Sequence, residues 1–168
     1  MKDSSDILIH EIIDDYQCPF TASEVHGFFT GLVLSNISNI DLDKKVLTFK
    51  DIDEGSLPKS RKLIKCIQGE LKSSNIDFQA GEECDYKVIA SSLAEWTYYF
   101  LISYKDSDIS KNIDNRITEI LDIFDEISQL NQKYKVDDDN SVNQESLNDI
   151  HDFIEKSVQY IFNKKDDK

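Results

Sequence analysis

Residues 21–34, TASEVHGFFTGLVL, predict the helix around which the rest of the chain is arranged. Thr21 and Glu24 have the spacing of a capping box, in which each side chain bonds a free backbone amide at the start of a helix. The apolar residues that follow recur at i, i+3, i+4, i+7 and i+8, which is typical of a helix with one broad buried face. They are Val25, Phe28, Phe29, Leu32 and Val33.

Two glycines stand one turn apart on a different face of this predicted helix, at Gly27 and Gly31. A glycine in a helix interior costs about 1 kcal/mol relative to alanine. Two of them on one face therefore indicate that another backbone packs closely there. The pattern predicts a core helix that is buried on two sides.

The same stretch resembles a known family. Residues 24–32, EVHGFFTGL, are similar to the signature E-L-H-G-F-L-x-G-L of the YgfB/YecA-like family of small bacterial proteins, whose function is poorly known. Residues 92–104, SLAEWTYYFLISY, resemble its second block, A-L-A-x-W-C-x-G-F-L-x-G-L, with Thr97, Tyr99 and Ser103 in place of the Cys and the two Gly.

The resemblance covers most of the chain and implies an all-α fold with little chemistry. The larger YecA-type relatives carry a C-terminal Cys/His zinc segment that this sequence does not show, so the resemblance is to the YgfB type. The two blocks imply matching helices that cross near their small residues. The signature positions that we interpret as structural are Glu24, His26, Gly27, Phe28, Gly31, Trp96 and Phe100.

Composition and pattern predict one compact all-α domain of about six or seven helices over residues 1–168. The chain has 168 residues, 39% of them hydrophobic, with only five Gly and two Pro, which disfavours an all-β protein. Pro58 suits the start of one helix, and Ser110 and Ser141 are predicted to cap two others. We expect residues 5–163 to form the core and 164–168 a frayed, charged tail.

The net charge of −14 disfavours binding to nucleic acid or anionic membranes and favours a basic partner. The three cysteines, Cys18, Cys66 and Cys84, lack the spacing of a metal site and indicate reduced thiols. The N-terminus has no signal-peptide pattern, and no apolar run is long enough to span a membrane. These features predict a cytoplasmic protein.

No phosphate loop, nucleophile elbow or zinc motif occurs in the sequence. His26 has no acid or metal ligand at i±3 or i±4, so we interpret it as an interhelical hydrogen-bonding residue at the edge of the core. The run Asp137–Asp139 fails as a calcium loop because Val142 stands where the loop needs glycine. We predict no catalytic residue, metal or cofactor.

The leading functional hypothesis is a non-enzymatic regulatory protein that binds a basic protein partner. Residues 136–155 contain seven acids and no Lys or Arg, although acids that serve only solubility would give the same pattern. One alternative is a small-molecule-binding protein or enzyme with a pocket around His26. A second is weak nucleic-acid binding through the basic face of Lys59, Arg61, Lys62 and Lys65. Apolar helices with two usable faces also suggest a homodimer. The candidate interaction patch is Asp137, Asp138, Asp139, Asp149, Asp152 and Glu155.

Overall fold

The computed structural model describes residues 4–15, 17, 19–35, 37–49, 54–76, 85–105, 114–133 and 141–166. Within these ranges the chain forms eight α-helices and one short 3-10 turn over Glu54–Ser56, with no strand. The prediction of a single compact all-α domain is therefore confirmed. The helices are α1 (Ser5–Asp15), α2 (Ala22–Leu34), α3 (Asn39–Thr48), α4 (Leu57–Lys72), α5 (Tyr86–Lys105), α6 (Asn115–Ser128), α7 (Leu130–Lys133) and α8 (Ser141–Asp166).

Helices α2 and α5 cross in close backbone contact, and this crossing is the centre of the fold. A methyl group on Gly27 would overlap the carbonyl oxygen of Trp96 and lie 2.9 Å from its carbonyl carbon. A methyl group on Gly31 would lie 2.6 Å from the carbonyl oxygen of Phe100 and overlap the hydroxyl of Ser103. Both distances are too short for a real contact, so only glycine fits. The predicted crossing of the two blocks at their small residues is confirmed.

The start of α2 has the predicted capping box. The Glu24 amide donates to Thr21 Oγ1 at 3.2 Å, and the Thr21 amide donates to Glu24 Oε2 at 2.8 Å. These bonds satisfy two of the amides that a helix start leaves without an intrahelical partner. Pro58 lies in the first turn of α4, as predicted, where its missing amide hydrogen removes no helical bond.

An aromatic cluster joins α5 to α6. Trp96 stacks on Phe100 with ring centroids 5.2 Å apart, and Phe124 of α6 meets both rings edge-on. Phe153 of α8 then packs edge-on against Phe124 at 6.2 Å. Large aromatic side chains dominate the burial of a small core, so this cluster fixes α6 and α8 against α5.

The boundaries of α6 are fixed by local hydrogen bonds, and its start differs from the prediction. The helix ends at Ser128, where the Gln129 amide donates to Glu126 O at 3.1 Å and the chain turns. At its start, α6 is capped by Asp114, whose carboxylate accepts from the Arg116 amide at 2.9 Å. The predicted cap Ser110 lies outside the described residues.

The C-terminal end of α8 corrects the prediction of a frayed tail. Helix α8 continues to Asp166, and Lys165 Nζ donates to Val33 O and Ser35 O, each at 2.8 Å. These carbonyls are at the C-terminal end of α2, where a helix leaves oxygens without intrahelical donors and favours positive charge. Lys165 therefore caps the core helix. Residues 167–168 lie outside the described part of the chain.

Candidate functional site

His26 lies at the centre of the core. Its side chain is 0% exposed, which corrects the expectation that it sits at the core's edge. Its ring meets Trp96 edge-on with centroids 6.1 Å apart. Burial disfavours the charged imidazole and lowers the pKa of His26 to about 4. The ring is therefore neutral at pH 7 and closed to solvent, which leaves the hypothesis of a solvent-open pocket around it without support.

Apart from Glu24, which caps α2, the remaining signature residues pack in the core. Phe28 stacks on Phe49, the C-cap residue that follows α3, with ring centroids 3.7 Å apart. Trp96 and Phe100 are fully buried, and the two glycines lie in the α2–α5 crossing. Thr97, at the family's Cys position, is buried and donates to Leu93 O and Ala94 O within α5.

A pair of carboxylates lies where α2 begins against α5. The Thr21 hydroxyl donates to Glu95 Oε2 at 2.9 Å, while Glu24 bonds the Thr21 amide. Burial raises the pKa of Glu95, the hydrogen bond from Thr21 lowers it, and the nearby charge of Glu24 raises it again. Neither carboxylate forms an ion pair with a Lys or Arg of the described ranges.

The sequence reasoning missed Glu95 as a site residue. It stands at the unspecified position x of the second block, A-L-A-x-W. It lies near Glu24 only because α2 crosses α5, which the spacing along the sequence does not reveal. The only local signal is a lone acid beside Trp96 on a helix that is otherwise apolar or neutral from Val88 to Tyr104.

The outer side of α5 next to Glu95 exposes large apolar side chains. Tyr98 is 51% exposed and Ile102 is 41% exposed. Residues 95, 98 and 102 are spaced i, i+3 and i+7, so they share one face of the helix. The ring of Tyr98 also packs edge-on against Tyr99, which in turn meets Phe20 and Phe49. We call Glu95, Tyr98 and Ile102 the α5 stripe.

The described residues include part of the predicted acidic patch. Asp149 and Asp152 are exposed on α8, and Glu155 is partly buried, while Asp137–Asp139 lie outside the described residues. Helix α6 adds exposed acids that the sequence analysis did not include. None of these exposed α6 and α8 acids forms an ion pair with a described Lys or Arg. We call the following set the acidic surface: Glu119, Asp122, Glu126, Glu145, Asp149 and Asp152.

One group of side chains in the described ranges has the composition of a cation site. His151 Nδ1 lies 3.9 Å from Asp152 Oδ1 and 3.9 Å from Glu155 Oε1. All three donor atoms lie within 4.8 Å of one another. Imidazole and carboxylate are ligand types that divalent zinc accepts. Exposed acids are also grouped in this way on many helices that bind no ion, so the grouping alone assigns no metal.

The basic face of α4 is partly neutralised within the chain. Lys59 forms ion pairs with Asp15 and, at 3.3 Å, with Glu11 of α1. Arg61 donates from Nε to Asp43 Oδ1 of α3 at 3.1 Å. These pairs fasten α4 to its neighbours and reduce the positive field that a nucleic acid would meet.

Comparison with models of known protein families found no match, and a search of curated proteins also found none. Among the described helices, none combines the length and apolar character that crossing a membrane requires.

Proposed function

We propose that this chain is a non-enzymatic, cytoplasmic regulatory protein of the YgfB-like type that binds a basic protein partner. The observation that carries the proposal is the acidic surface. Six acids on α6 and α8 are exposed without a Lys or Arg ion partner in the described ranges. They belong to a chain with a net charge of −14.

A clustered field of one sign accelerates association with a partner of opposite sign and weakens as salt screens it. The two helices that carry these acids are held together by the packing of Phe124 against Phe153. The backbone positions of these acids are therefore held on two helices that pack against each other. The residues that carry the resemblance to the YgfB-like family serve packing and helix capping here.

The test is affinity capture from cells with nuclease-treated lysate, followed by identification of the bound proteins. The wild type is compared with the triple variant Glu145→Gln, Asp149→Asn, Asp152→Asn, which removes charge but keeps side-chain shape. We expect the wild type to retain basic proteins that are released as salt rises from about 0.05 to 0.5 M, where the screening length falls severalfold. The variant should retain much less at low salt.

A charge control tests whether the loss of capture is specific to the acidic surface. The variant Asp14→Asn removes one exposed acid of α1, outside the acidic surface, and should capture as well as the wild type. Equal capture by the triple variant and the wild type at low salt would show that the acidic surface serves solubility alone. Loss of capture after nuclease treatment would instead favour a nucleic acid as the bound macromolecule.

A further inference from the structure

We propose that the α5 stripe, together with Glu24, is the docking site for an amphipathic basic segment of a protein partner. The apolar side chains of that segment would cover Tyr98 and Ile102, and one of its Lys or Arg side chains would lie between Glu24 and Glu95. This inference rests on the proposed function and gives that partner a binding position and a chemistry.

The apolar half of the site consists of two large side chains on one face of α5. Tyr98 and Ile102 follow one another on a single helical face, with about half of each side chain open to solvent. Scattered exposed apolar residues are normal on soluble proteins, but neighbouring ones beside polar groups mark interaction surfaces. Tyrosine is also among the residue types that most often anchor an interface.

The charged half of the site identifies the occupant. Glu24 and Glu95 both approach Thr21, the first through its amide and the second through its hydroxyl. Burial is the main cause of the raised pKa of Glu95, and the nearby negative charge of Glu24 adds to it. No described Lys or Arg compensates them. A partner's ammonium or guanidinium group would supply the missing countercharge, so charge complementarity selects a basic segment.

Tyr98 and Glu24 are each held by contacts within the chain, which lowers the entropic cost of binding there. The ring of Tyr98 packs edge-on against Tyr99, whose ring in turn packs edge-on against Phe20 and Phe49. Glu24 is fixed by the capping box of α2. A partner helix with apolar residues at i, i+3 and i+7 and a Lys beside them would match both halves of the site.

The experiment uses the full chain, isotope-labelled for NMR, and three synthetic probes. The first is a capped peptide of about 16 residues, long enough to form a helix on binding, with Leu at helical spacing and flanking Lys. The second has the same composition in scrambled order, and the third is oligolysine of equal length. We expect the amphipathic peptide to shift the amide signals of Glu95, Tyr98 and Ile102 and to bind more tightly than either other probe.

Matched variants locate the contact. Ile102→Gln should weaken the amphipathic peptide about tenfold, whereas Ile123→Gln, at an α6 residue of nearly equal exposure (40%), should leave its affinity unchanged. Glu95→Gln keeps an acceptor for Thr21 but loses the charge, and should cost about tenfold. Asp14→Asn, at an exposed acid of α1 outside both surfaces, is its charge control and should have little effect.

The outcomes separate this inference from the proposed function. If Glu119→Gln, on the acidic surface, weakens binding as much as the α5 variants, the peptide binds the acidic surface and the α5 site is wrong while the proposed function stands. If the scrambled probe binds equally well, the apolar half of the site is wrong. If no basic probe binds even at low salt, the α5 site is wrong, and the capture experiment alone decides the proposed function.

Discussion

Helices α2 and α5 carry similar sequence blocks but differ in burial. Eleven of the thirteen residues of α2 are buried, including polar His26 and Thr30. Helix α5 is equally apolar around Trp96 and Phe100, yet it leaves Tyr98 and Ile102 exposed. Packing therefore accounts for nearly every residue of α2. The outer residues of α5 are not explained by packing, which makes α5 the helix where function can be sought.

The largest expected effect tests the crossing itself. Gly27→Ala should destabilise the protein by about 3 kcal/mol, because the new methyl group would overlap the backbone of Trp96 and neither helix can move without disturbing the core. The measurement is the free energy of unfolding by chemical denaturation.

Gly69 provides a matched control for this substitution. It lies in α4 with nothing within 4 Å of the position of an added methyl group. Gly69→Ala should therefore stabilise the protein by up to about 1 kcal/mol through helix propensity. If both substitutions change stability alike, the α2–α5 crossing is looser than the structure describes.

The second prediction concerns the buried histidine of α2. Burial lowers the pKa of His26 from 6.5 to about 4. Between about pH 4 and pH 6.5, His26 therefore binds a proton in the unfolded chain but not in the folded chain. The contribution of neutral His26 to the free energy of unfolding is fully present above about pH 6.5 and is lost as the pH falls. The loss should reach on the order of 2 kcal/mol by pH 5.

His26→Gln isolates this contribution because glutamine does not titrate. We expect the variant to stay folded at pH 7 and to show a shallower decline in unfolding free energy between pH 7 and pH 5 than the wild type. Parallel declines for the two proteins would mean that His26 titrates normally and is open to solvent.

The third prediction tests the cap that α8 supplies to α2. Lys165→Met keeps the apolar stem but removes the donors to Val33 O and Ser35 O, and should cost about 1 kcal/mol. Lys156→Met, at an exposed position of the same helix, should cost little. Thermal and chemical denaturation measure both. Equal effects would show that Lys165 stabilises only through general charge.

The sequence predicted the features that depend on local spacing. The capping box of Thr21 and Glu24, the start of α4 at Pro58 and the apolar faces follow from intervals of three and four residues, and the structure confirms them. The close approach at Gly27 and Gly31 was predictable because glycine in a helix interior is costly unless a neighbour requires it. The resemblance to the YgfB-like family remains a prediction.

Features that depend on long-range contacts could not be read from the sequence. Glu24 and Glu95 come together only because α2 crosses α5, and their separation along the chain gives no sign of it. The sequence predicts a frayed tail at Lys165 because its partners, Val33 and Ser35, are more than a hundred residues away along the chain. The burial of His26 likewise depends on α5, whose Trp96 ring lies against it.

The smallest expected effect on stability concerns the α5 stripe. Ile102→Gln should change the free energy of unfolding by no more than about 0.5 kcal/mol, since the side chain is half exposed and glutamine favours helices at least as well as isoleucine. Its neighbour Leu101 is buried, so Leu101→Gln should cost about 3 kcal/mol by placing an amide in the core.

This contrast within one turn of α5 decides whether the outer stripe is free to bind. If Ile102→Gln proves as costly as Leu101→Gln, the chain itself covers the stripe and no partner can reach it. If Ile102→Gln leaves stability unchanged and weakens peptide binding, Ile102 contributes to a contact with a partner and not to folding. Stability and affinity measured on the same variant therefore distinguish a packing residue from a docking residue.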